Sequence, residues 1–110
     1  MSEFFDSEIV QQTMEELEEL QKKLLVKIFD IPYCSKDEKM EYIQTMREFL
    51  EKQKVLLFRM SLSDDPEAIE TKQKILESAK VFGLKDDQNM NEFFNMLEKP
   101  INEIEKSFGL

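Results

Sequence analysis

Apolar residues recur along this chain at intervals of three and four and nowhere in sustained alternation, the pattern of helices that bury one face. Between residues 7 and 29 there is no Gly or Pro, and Val10, Met14, Leu17, Leu20, Leu24 and Ile28 hold that spacing. A long amphipathic helix is predicted there, starting from Asp6 or Ser7, either a competent N-cap. Pro32 disfavours helical geometry at Ile31 and stops it. Ser35-Lys36-Asp37-Glu38 is a capping box, with Ser35 as N-cap and Glu38 reaching back from the third helical position. A second long helix, about 36–61, follows with Met40, Ile43, Met46, Leu50, Leu57 and Met60 on its main stripe, widened by Phe49, Leu56 and Phe58. Asp65-Pro66 supplies an N-cap and a first-turn proline for a third helix over 66–82, which closes at Gly83. Asp86 or Asp87 caps a fourth over 87–108, with a kink or break at Pro100.

The fold expected is therefore all-α and a single domain over 1–110: a long antiparallel hairpin of two helices with two shorter C-terminal helices, assembled as an oligomeric bundle. Each long helix, at ~1.5 Å per residue, reaches about 35 to 40 Å, more than the width of a compact domain of this size. The second helix is apolar over more of its circumference than one partner covers, which predicts a homodimer or higher oligomer. Met46, Phe49, Leu56, Phe58 and Met60 are its expected interface. Phe4 and Phe5, a hydrophobic staple or a docking anchor, join that candidate surface, as do Phe93 and Phe94 of the fourth helix.

Charge adds a register. Residues 1–19 hold seven acids and no base, residues 20–62 six acids and nine bases, and residues 63–110 eleven acids and six bases. In a hairpin turning near residues 31–34, Glu18 falls near Arg47, and Glu8 to Glu15 fall near Lys52, Lys54 and Arg59. Such pairs select register more than they stabilise.

Composition removes most catalysis. The 110 residues include no His, one Cys and two Gly, with a net charge of -9. A His-assisted nucleophile, a His-ligated metal and a Gly-rich phosphate loop are all excluded. A lone Cys34 beside Lys36 has no base to activate it. No cofactor signature is present. The acidic balance disfavours direct nucleic-acid binding. No apolar run approaches the ~20 residues of a membrane span, and the opening MSEFFDSE lacks the basic and apolar regions of a signal peptide, so a cytoplasmic setting is expected. The remaining enzyme-like string is Glu15-Glu16-Leu17-Glu18-Glu19, which matches half of the Mg2+ signature of all-helical nucleotide pyrophosphohydrolases; Glu15, Glu16 and Glu19 are its weak candidate ligands. Its second half, E-x-x-D, occurs only at Glu3 and Asp6, on the wrong side of the first cluster.

Three strings carry a resemblance: Phe4-Phe5-Asp6-Ser7-Glu8-Ile9-Val10-Gln11; Phe49-Leu50-Glu51 leading into Phe58-Arg59-Met60-Ser61-Leu62-Ser63-Asp64-Asp65; and Val81-Phe82-Gly83-Leu84. In this order they resemble a small helical family of unknown function from cyanobacteria and their phages. The sequence departs from that pattern at Pro32, Tyr33 and Cys34. The resemblance implies an all-helical fold, a cytoplasmic setting and a phage or cyanobacterial source, and no reaction. The functions expected are a non-enzymatic interaction protein that binds itself and a host protein as adaptor or modulator, an acidic mimic that blocks a DNA-handling or transcription protein, or the Mg2+-dependent hydrolase.

Overall fold

The computed structural model describes residues 3–85 and 90–110. Among them are four α-helices and no strand: α1 (Glu8–Lys27), α2 (Lys36–Leu62), α3 (Pro66–Val81) and α4 (Met90–Ser107), with a single 3-10 turn, Ile31–Tyr33, between the first two. The N-cap expected at Asp86 or Asp87 lies outside the described residues. Elsewhere the local chemistry acts as predicted. Ser35 Oγ accepts the Glu38 N–H at 3.2 Å and donates to the Glu38 carboxylate at 3.1 Å. Asp65 Oδ1 accepts the Glu67 N–H at 3.0 Å and starts α3 ahead of Pro66. Gly83, at φ +112°, ends α3 in a conformation that a side chain would strain. There the Gly83 and Leu84 N–H groups return to the carbonyls of Lys80 and Ala79, the paired bonds of a Schellman cap. Ser7 takes the N-cap position of α1 without a side-chain bond. Pro100 does not break α4, which stays helical from Met90 to Ser107.

α2 is the strut on which the other helices pack. Partners in α1 and α2 run in opposite order along the chain: Glu16 pairs with Lys52, while Lys23 and Lys27 share a hollow with Glu38 and Glu41. Partners in α4 also descend as α2 ascends. Lys39 lies 5.4 Å from the Phe108 ring, Arg47 meets Glu98, Asn102 and Glu105, and Lys54 lies 5.7 Å from the Phe94 ring. Arg47 thus goes to α4 and not to Glu18 as the charge blocks suggest. The reason is geometric, since Glu98, Asn102 and Glu105 recur at four and three residues and make one polar face beside it.

Two apolar clusters hold the helices. The larger gathers Phe4, Val10, Leu57, Met60, Ala68, Leu76, Ala79, Leu84 and Phe93, from every helix and from the segment before α1. That segment is fixed by Asp65, whose second carboxylate oxygen accepts the Phe4 N–H at 2.7 Å in a buried setting. The smaller cluster, Ile43, Leu50 and Ile101, is a seam between α2 and α4. The whole measures 46 × 32 × 17 Å, a flat slab.

Candidate functional site

Five residues of α2, Met46, Phe49, Gln53, Leu56 and Met60, recur at alternating steps of three and four, the seam spacing of helices that pack in parallel bundles of two or more. They floor an apolar trough. Leu17 and Leu24 of α1 form one wall, and Phe93, Phe94, Leu97 and Pro100 of α4 form the other. The trough consists of a hollow of about 350 Å3 at the α3 end, where Ile75 closes it, and one of about 250 Å3 toward the 3-10 turn; the two share Gln53 and Leu97. Among the described residues Gln53 is the only polar side chain that lines either hollow. α3 fails to cover the trough because it packs beside the last turns of α2, against Met60, Ser61 and Ser63.

The residues expected at an interface divide among three places. Met46, Phe49, Leu56 and Phe94 line the trough, each half-buried. Met60 and Phe93 lie deeper, buried at the edge of the larger cluster, so the chain's own core already uses them. Phe4 is buried in the same cluster with Phe5 against it, the two rings edge to face at 5.0 Å; the pair belongs to the core and is not an exposed anchor. Phe58 faces away from the trough, 60% exposed, in a shallow groove with Lys54, Val55, Arg59 and Leu62. Leu17, Leu24, Leu97 and Pro100 were not anticipated as site residues, and the one signal for them was position on the trough side of their own helices.

The acidic string of α1 does not gather into a site. Glu16 turns to Lys52, and the hydrogen bond and charge of that ammonium hold its carboxyl below the usual range. Glu15 and Glu19 stand exposed, and Glu18 pairs along the helix with Lys22 at 3.4 Å. Among the described residues no group of three or more Asp, Glu, Cys or His side chains could hold a metal ion. Nor is any described helix long and apolar enough to cross a membrane. Cys34 sits half-buried after the 3-10 turn, its thiol donating to the Asp30 carbonyl at 3.4 Å, with its pKa raised by desolvation and by neighbouring Glu38. That is the wrong direction for a nucleophile.

No curated protein and no solved structure matches the chain. The sequence model of a domain of unknown function, DUF1825, matches residues 2–104. That span takes in all three strings of the resemblance and every residue that lines the trough, and the chain therefore belongs to the DUF1825 family.

Proposed function

We propose that this DUF1825 member is a non-enzymatic protein-interaction module whose trough receives an amphipathic helix. The observation that carries this reading is the trough itself, apolar on floor and both walls, with one polar side chain at its centre. Helix-in-groove recognition needs such a surface. The opposite order of contacts supports reading α1 and α2 as an antiparallel hairpin, with α4 laid along the same strut and the trough open between α1 and α4. From Met46 to Met60 the floor extends about 21 Å, enough for four turns of a visiting helix.

The alternatives draw less from the geometry. A Mg2+-dependent hydrolase needs clustered carboxylates, and Glu16 is engaged with Lys52. An acidic mimic needs an unbroken acidic face, whereas α3 interleaves Glu67, Glu70 and Glu77 with Lys72, Lys74 and Lys80. An adaptor role toward a host protein would use the same trough or the Phe58 groove. The test is a photo-crosslinker, benzoylphenylalanine, placed at position 49, with the same group at exposed position 70 as reference. Position 49 should capture a helical segment that mass spectrometry identifies and position 70 does not capture. Equal capture at the two positions would reject the trough as a docking site.

A further inference from the structure

We infer that the helix received by the trough is α1 of a second copy of this chain, the two copies related by a two-fold axis that fills both troughs at once. This rests on the docking reading above and names its occupant.

The first ground is area. The chain exposes 7867 Å2, whereas a compact monomer of 13.1 kDa exposes about 6,400 Å2. The excess, about 1,500 Å2, exceeds the roughly 800 Å2 that a partner contributes to a standard interface. Its radius of gyration, 15.7 Å, is likewise above the roughly 13 Å of a compact domain of this length. Among the described residues no large side chain falls below 2% exposure, so they form no core of ordinary depth within one copy.

The second ground is the match between the trough and the helix edge beside it. On α1, Met14, Gln21 and Leu25, with Ile28 at its C-cap, follow Leu17 and Leu24 around the helix, away from the lysine side. Met14, Leu25 and Ile28 are all exposed, Leu25 at 58%. From Met14 through Gln21 to Ile28 the steps are seven and seven, and on the trough floor from Met46 through Gln53 to Met60 they are also seven and seven. Both stripes are therefore about 21 Å long, apolar at each end, with a glutamine in the middle. Seating one centre on the other pairs the Gln21 and Gln53 amides and lays Met14 and Ile28 into the two hollows. A single polar position inside an apolar seam fixes register and partner number. Wall and trough lie on the same face, so a two-fold pairing uses the same patch from both copies and closes.

Light scattering at about 50 µM should return twice 13.1 kDa, well above the dissociation constants typical of interfaces this size. Leu25→Glu, at a position already exposed, should shift the mass to that of one chain, a loss of at least tenfold in association, with helical circular dichroism unchanged. Val26→Glu, on the lysine side of α1, should leave the dimer intact. A wild-type mass of 13.1 kDa overturns the inference, as does a dimer on which the two substitutions act equally. The position-49 crosslinker separates the two levels: capture of another protein's helix by a monomeric chain removes the second copy and keeps the trough, and capture of nothing specific removes both.

Discussion

The two halves of α2 carry similar side chains and meet different fates. At the α3 end, Leu57 and Met60 are each about 5% exposed, covered by α3, by Leu84, by Phe93 and by the Phe4 segment tied to Asp65. Toward the 3-10 turn, Ile43 and Leu50 are as deeply buried, but in a cluster with α4 alone, while Met46 and Phe49 lie half-buried beside the trough, and the tip beyond them leaves Phe29 and Tyr33 85% and 89% exposed. The difference lies in the number of elements that reach each half, since α3 is only 16 residues and sits beside one end. Apolar spacing says which face of a helix seeks cover, and the lengths and anchors of its neighbours decide whether the chain itself provides it.

The largest expected effect breaks the covered half. Leu57→Ala removes a buried side chain contacted from several elements and should cost about 3 kcal/mol, lowering the melting temperature by roughly 15 °C at every protein concentration. Phe49→Ala should cost about 1 kcal/mol in the isolated chain, because half of its area is still wet. If the trough is filled by a second copy, that cost grows as concentration rises, since association stabilises the folded state by mass action. Urea unfolding at about 2 and about 100 µM distinguishes the two behaviours. A Phe49→Ala cost that does not change with concentration would remove the distinction drawn between the halves.

A smaller effect tests what anchors the cover. Asp65 caps α3 through one oxygen and holds the Phe4 N–H through the other. Asp65→Ala loses a cap worth about 1 kcal/mol and leaves a buried N–H short of its charged acceptor, a further 1 to 2 kcal/mol or so. Asp65→Asn keeps the geometry with a weaker acceptor and should cost about half as much. Hydrogen exchange supplies the specific readout: protection should fall first at residues 4–10. An Asp65→Ala variant that frays α3 and spares that segment would separate the two roles.

This carboxylate also shows where sequence reading reaches its limit. The Ser35 box, the Pro66 start, the Gly83 stop and the helix spacing are local, and each is satisfied within a few residues of its own position. Phe4-Phe5 and Asp64-Asp65 stand out as strings, but the bond that joins them spans 61 residues, and no periodicity encodes it. Arg47 is a similar case. Its charge predicts an acidic neighbour, and both α1 and α4 offer acids, so only the lane that α4 takes along α2 decides. The trough walls were out of reach for the same reason. Leu17 and Leu97 each read as the core face of a helix, and their facing one another across an open lane is a property of three helices together.

The smallest effect concerns charge. Lys52 lowers the Glu16 pKa, and the Cys34 thiol, then the Ser35 hydroxyl and N–H, lower that of Glu38. A carboxylate with a depressed native pKa binds its proton more weakly in the folded chain than in the unfolded one. Its stabilisation is therefore complete above the unfolded value, about 4.3 for Glu, and is lost as pH falls through the lower, folded value. Stability should hold from neutrality to about pH 5 and decline below it. Lys52→Met should flatten the part of that decline due to Glu16, and Ser35→Ala the part due to Glu38, the latter with the added loss of about 1 kcal/mol for the cap at every pH. Both acids are exposed enough for salt to screen them, so raising ionic strength should shrink the Lys52→Met difference and leave the pH-independent cap loss of Ser35→Ala in place. A Lys52→Met profile parallel to wild type through the acid range would show that the pair sets no register between α1 and α2, and would leave the apolar seam to hold the α1 wall of the trough alone.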